Sequence, residues 1–349
     1  MIRHISAPLI LVLSLALVLA FFGGLLVGSV RFSPANLYWA FLSLFKGAAL
    51  EPALESTTAL VLFEIRLPRV LLAMAVGASL GVSGAAFQGI FRNSLADPYV
   101  IGASSGAALG AALAMVTGLS FSGPLAELGI SPVSLCAFAG SLGAVFLAFI
   151  ISRSVENPPS AVALLLAGTA LGTFFSSLLS LILALKDRDL HRVYYWLLGS
   201  LNGASWPELP AMLPVMIIGC LIVFLSHRPL DLLLQGEEVA ESLGADVRKT
   251  RLIIALGASL AVAAAVSAAG IIGFVGLIAP HAVRMVTGPS HRRLLPASAL
   301  AGALLVVLAD IAARAFGSME LPIGVITSLG GAPFFIYLLA RHGRHLGRF

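Results

Sequence analysis

Three arginines stand at the edges of apolar runs. Arg66 and Arg69 flank Leu67-Pro68, and Arg314 follows Asp310 by four residues. A guanidinium presents a planar fork that matches a carboxylate. Asp310 and Arg314, at helical i,i+4 spacing, can pair with each other. That pairing gives Arg66 and Arg69 no intramolecular reason, so the cluster points to an acidic partner from outside. A second string, Gly81-Val-Ser-Gly-Ala85, resembles the setting of an intramembrane serine nucleophile. Ser83 would need an imidazole within about 3 Å, and His281 is the candidate in the distal spans. Gly102-Ala-Ser-Ser-Gly106 nearly repeats the string, so small-residue packing is the simpler reading. A phosphate-binding loop would end Gly-Lys-Ser/Thr. The nearest string, Gly244 through Lys249-Thr250, has Arg248 in place of the glycine, so ATP hydrolysis by this chain is not expected.

Two further stretches are polar enough to meet partners. Gly236 to Gly244 carries Glu237, Glu238 and Glu241, then Leu243. Acids suit a helix start and glycine suits the stop, which predicts a short amphipathic helix. It is a solvated linker or a docking lever for a cytoplasmic partner. Residues 186–195 hold His191, Tyr194 and Tyr195. These belong to an interfacial aromatic belt or to a substrate contact at the outer mouth.

The elements that must position these residues follow from composition. Of 349 residues, 59% are hydrophobic and only 11% charged, and the mean hydropathy is +1.02. A soluble globule has about 25% charged residues. Nine runs of at least 16 residues lack Asp, Glu, Lys and Arg: 4–30, 70–91, 98–126, 128–152, 157–185, 209–227, 252–283, 294–309 and 321–340. The run 252–283 has Gly270, Gly273 and Gly276 at its middle and suits two passes. With ten spans and the N-terminus inside, thirteen of the 21 basic residues, from Arg3 to Arg348, fall in cytoplasmic loops, and eight, including Arg31 and Lys46, fall outside. Nine single passes would put Arg341, Arg344 and Arg348 outside, against that bias. The expected fold is therefore all-α, a single polytopic domain over residues 1–349 with both termini cytoplasmic. Residues 4–30 read as a first span, being longer than a signal-peptide core. Cys136 and Cys220 fall within spans and read as small apolar residues. The net charge of +5 belongs to loops beside anionic lipid, not to nucleic-acid binding. Glycines at Gly77/Gly81, Gly102/Gly106, Gly106/Gly110 and Gly168/Gly172 suit close helix approach.

Arg66-Leu-Pro-Arg69, Gly77 to Gly84, Gln88, Arg92-Asn-Ser-Leu-Ala-Asp-Pro98 and Gly102 to Gly106 resemble the FecCD family of bacterial ABC-importer permeases for ferric siderophores, haem and cobalamin. So do Gly273 to His281, Arg284, His291-Arg292, Leu295-Pro296, Ala309-Asp310, Arg314, Glu320 to Gly324 and Gly331 to Phe334, the whole covering about 60–340. Ser94 departs from the family's usual proline, which implies a slightly looser loop. The resemblance implies ten spans in the inner membrane, a second permease copy (a homodimer) around a central pathway along the fifth and tenth spans, two cytoplasmic ATPases and an extracytoplasmic binding protein. It implies that Arg66, Arg69 and Arg314 receive carboxylates of that protein. Asn93, Leu95 and Ser160 would form the cytoplasmic gate, although Asn157-Pro158-Pro159 differs from the family there. Glu237, Glu238, Glu241, Leu243 and Gly244, in a loop of about 228–251, would dock the ATPase. ATP and magnesium would sit on that partner, with no cofactor and no metal on this chain. By family frequency the cargo is a ferric siderophore, with haem or cobalamin the other members. An ion-coupled secondary carrier is the alternative, opposed by the scarcity of ionisable groups near the midplane; an intramembrane serine hydrolase is the third.

Overall fold

In lipid a crossing segment must satisfy its own backbone, which favours helices wherever an apolar run is long enough. The computed structural model describes residues 6–28, 32–33, 35, 59–123, 126, 129–155, 160–315 and 320–346. Arg3, Arg31, Lys46, Arg348 and Asn157 to Pro159 lie outside them. All regular structure among the described residues is helical. The helices are α1 (Ser6–Leu26), α2 (Leu67–Ile90, entered through a π-helical turn Val61–Arg66), α3 (Ala103–Val116), α4 (Pro132–Val155), α5 (Ala161–Leu185), α6 (Leu190–Leu197) and α7 (Glu208–Leu225). Then follow α8 (His227–Leu233), α9 (Glu237–Ser242), α10 (Val247–Ala269), α11 (Val275–Thr287), α12 (His291–Ala315) and α13 (Ile323–Leu346). Seven helices (α1, α2, α4, α5, α7, α10 and α12) are long and apolar enough to cross a membrane, and α3, α11 and α13 hold shorter apolar segments.

The run 252–283 is two helices, as its glycines imply. Gly270, at φ +68°, ends α10, and Phe274, also at positive φ, opens α11. The run 98–126 departs from expectation. Only 14 residues of it form α3: 98–102 belong to a non-helical stretch, 91–102, and the helix ends at Val116. There Pro98 lies against Gly276, and the Tyr99 hydroxyl donates to the Ile272 carbonyl at 3.2 Å. In the other direction, the run 294–309 extends to Ala315 as α12.

Burial separates a centre from a periphery. Most of the apolar window is buried in α2 (78%) and α10 (72%), against 22% in α1 and 28% in α5. α2 packs antiparallel on α12, and also meets α10 and α11. Its small residues allow this. A Cβ on Gly77 would stand 2.2 Å from the Gly302 oxygen, and one on Gly81 2.2 Å from the Ser298 oxygen. Gly106 and Gly110 meet α4 in the same way, at Gly140 and Cys136. The Gly-Val-Ser-Gly string is a three-way junction: Gly81 touches α12, Gly84 touches Gly276 of α11, and Ser83 donates to the Ala258 carbonyl of α10 at 3.0 Å. Ser83 is thus bonded to backbone rather than to an imidazole.

Candidate functional site

At one end of the bundle, the antiparallel register that joins Gly77 to Gly302 also brings Arg69 opposite Asp310. Arg69 Nε donates to Asp310 Oδ1 at 2.8 Å, and Arg69 Nη1 to Glu320 Oε2 at 3.0 Å. Arg314 Nη2 lies 2.7 Å from Asp310 Oδ2, and its Nη1 donates to the Val27 carbonyl at 2.6 Å. Arg66 Nη1 donates to the carbonyls of Leu25 and Leu26 at 2.6 and 3.0 Å, and its guanidinium lies 4.5 Å over the Phe32 ring. The last carbonyls of α1 carry the negative end of its dipole, which suits two arginines. All three arginines are buried, at 4–6% exposure. The expectation that Arg66 and Arg69 lack intramolecular partners is therefore corrected. Asp310 and Glu320 serve Arg69, and the end of α1 serves Arg66, across sequence gaps that local spacing cannot show. Among the described residues, three guanidiniums against two carboxylates leave the knot one positive charge in surplus.

At the opposite end, α2 stops at Ile90 and the chain turns at Arg92, a non-glycine residue at φ +49°. Asn93 is exposed, and its Oδ1 accepts from the Leu95 N–H at 2.9 Å, closing an Asx turn. The Ser94 carbonyl lies 3.3 Å from His281 Nδ1, a contact that needs no proline. Gln88 bridges two helices: its amide donates to the Leu277 carbonyl, and its oxygen accepts from Arg284 Nη2 at 3.0 Å. Ser160 caps α5, its Oγ accepting from the Ala163 N–H at 3.1 Å. The predicted gate residues thus fall at two separate places, the turn after α2 and the N-cap of α5.

The segment 228–251 is a folded ledge of α8, α9 and the start of α10. Gly244, at φ +82°, closes α9 at the place its spacing predicts. On α9 only Ala240 is buried; Glu238, Val239, Glu241 and Leu243 face outward, Leu243 at 61% exposure. Glu237 forms an ion pair with Arg251 that holds α9 against α10. The sequence reading missed Asp231 on α8. Its carboxylate accepts from the His291 backbone N–H at 2.7 Å and from the Ser290 hydroxyl at 3.1 Å, and it meets His291 Nδ1 at 2.8 Å. Burial disfavours the Asp231 charge, but these hydrogen bonds outweigh it and hold the carboxyl below its ordinary range. The available signal was the start of α12: His291-Arg292-Arg293 has no acid in its first turn, so an acceptor must come from elsewhere.

Between the ends, α5 carries exposed Thr169, Thr173, Ser177 and Ser180. Each donates to a carbonyl three or four residues earlier, which leaves its oxygen facing out. On α6, His191, Tyr194 and Tyr195 are exposed, and the two tyrosine rings meet edge to face at 6.4 Å. Tyr195, Arg192, Glu208 and Glu320 share a polar cavity of about 770 Å³.

A family model described as the FecCD transport family matches residues 15–341. The chain is 44% identical over 304 residues to the cobalamin import system permease protein of Halobacterium salinarum, covering 87% of this chain and 80% of that one. It is 41% identical over 280 residues to the hemin transport system permease protein of Yersinia pestis, covering 80% and 82%. It is 36% identical over 340 residues to the iron(3+)-hydroxamate import system permease protein of Bacillus subtilis, covering 96% and 98%. A solved chain from a metal-chelate type ABC transporter in an inward-facing conformation is 31% identical, with a TM-score of 0.80 over 96% of this chain and 99% of that one.

Proposed function

This chain belongs to the FecCD transport family, and from that premise we propose that it passes a preformed metal chelate from an extracytoplasmic binding protein into the cytoplasm. It is an ABC-importer permease and a multi-pass inner-membrane protein. In this proposal seven long and three shorter apolar helices make ten spans, with both ends cytoplasmic. A second copy completes the pathway, α5 and α13 of each lying along the shared axis. The hydroxyl stripe of α5 carries this proposal, because it is a polar, uncharged surface on a membrane helix. Such a lining offers a bulky chelate hydrogen bonds without a tight site, and it needs no ion relay.

The binding protein docks on the knot of Arg66, Arg69 and Arg314. Two partner ATPases hold ATP and magnesium, seat on the ledge around Glu237, Glu238, Glu241, Leu243 and Gly244, and push it when they close. The turns at Asn93, Leu95 and Ser160 gate the inner end. His191, Tyr194 and Tyr195 form part of the outer mouth, as an aromatic belt or a chelate contact. Among cargoes, cobalamin is the first to test, since the 44% identical relative is named for it. The ferric siderophore favoured by family frequency comes next, and haem third. The test is ATPase stimulation of the reconstituted complex by its binding protein loaded with each chelate in turn. Stimulation by one identifies the cargo. Uptake by the chain alone, driven by an ion gradient, would overturn the proposal in favour of a secondary carrier.

A further inference from the structure

We infer that Glu320 is a place-holding carboxylate, occupying Arg69 until an acidic side chain of the docking partner takes its place. The inference rests on the docking role proposed for the arginine knot. The two acids of the knot are held very differently. Asp310 lies within α12, its side chain is 1% exposed, and it is gripped from two sides by Arg69 and Arg314. Glu320 lies ahead of α13, outside any helix, and its side chain is 34% exposed. It forms an ion pair with Arg69 Nη1 at 3.0 Å. Its charge also acts on Arg66 and Arg314, so it faces the whole cluster. It has somewhere to go, because Glu320 itself lines the polar cavity of about 770 Å³ beside Arg192 and Tyr195.

These features fit an exchange. Losing Asp310 would strand two buried guanidiniums, whereas losing Glu320 frees one arm of Arg69 toward the side from which a partner arrives. The knot has a surplus of one positive charge with Glu320 in place and of two with it withdrawn. An incoming Glu or Asp then restores the original balance. The partner surface is accordingly an acidic protein patch, and Glu320 sets its affinity by competing with it. In the undocked permease each knot arginine thus has an acid or a carbonyl beside it.

The experiment measures affinity of the binding protein encoded with the permease for the permease–ATPase complex in nanodiscs. Glu320→Gln keeps shape and removes charge. It should tighten docking about two- to fivefold, the range of an exposed ion pair. It should also steepen the loss of affinity with salt, since the knot's surplus charge has doubled. Arg66→Gln, which keeps a donor for the α1 carbonyls, should weaken docking. If Arg66→Gln weakens docking while Glu320→Gln leaves affinity and salt dependence unchanged, the place-holder role is overturned and the docking site stands. If neither variant changes docking, the docking site itself falls. Glu320→Ala serves as the second variant, with thermal melting to verify the fold; tightening there too supports competition over a side-chain-specific effect.

Discussion

The arginine knot and the ledge of α8 and α9 both gather charge at a bundle end, and they handle it in opposite ways. At the knot, three arginines at 4–6% exposure are cross-linked to two acids and to the last carbonyls of α1. At the ledge, α9 turns its acids and two apolar residues, Val239 and Leu243, outward and buries only Ala240. The knot pairs its acids within the chain and offers electrostatic exchange. The ledge is incomplete and offers surface to be covered. An outer contact that forms and releases in each cycle suits the first; a standing contact with a motor suits the second.

That contrast can be broken at four points. The largest effect belongs to Asp310→Ala, which leaves Arg69 and Arg314 buried without their shared acid. It should cost about 3–5 kcal/mol, read as a fall in melting temperature of the detergent-solubilised permease. Next, Leu243→Asp should weaken ATPase association tenfold or more, since covering one leucine is worth about 1.5–3 kcal/mol. The permease's own melting temperature should not move, and a shared loss would mean the ledge is structural. Third, Asp231→Ala should cost about 1 kcal/mol through the lost cap on α12. The sign with pH follows from a carboxyl held below its ordinary range. The wild-type contribution is full above about pH 4, the unfolded value, and is lost as pH falls through the lower folded value. The variant's melting temperature should therefore fall less on acidification. The smallest effect is salt. Raising ionic strength should weaken binding-protein docking up to about fivefold and leave ATPase association on the apolar ledge nearly unchanged.

Local signals were readable wherever one residue type forces one conformation. Gly244 at the end of α9 and the glycine break at Gly270 both follow from short-range backbone demands. The junction at Gly81 to Gly84 was legible as small-residue packing, though not which three helices meet there. What stayed hidden lies far apart along the chain. Arg69 meets Asp310 and Glu320 across 241 and 251 residues, and Asp231 meets His291 across 60. Charge types suggested that partners exist, but only the α2–α12 register selects them. The late start of α3 was hidden for a related reason: 98–126 carries no charge, so charge spacing could not reveal that 91–102 is held by Ile272 and Gly276 instead of continuing as helix, whereas its end before Thr117-Gly118 has a local signal.

The glycine contacts between α2 and α12 make the pair behave as one stiff beam. Arg69 and Asp310 ride on it together near one end, and Gly89 meets His291, which Asp231 holds, near the other. The twenty residues from Arg69 to Gly89 span roughly 30 Å. Pivoting such a beam by about 5° sweeps its far end through about 2.6 Å at that length. Asp310 travels with Arg69 and keeps its contact, and the Leu321 N–H, bonded to the Ala313 carbonyl of α12 at 3.2 Å, ties the backbone beside Glu320 to the same beam. A small rotation imposed at the ledge would thus reach the opposite face as a displacement of the whole knot, the output stroke of a lever whose gearing is set by helix length.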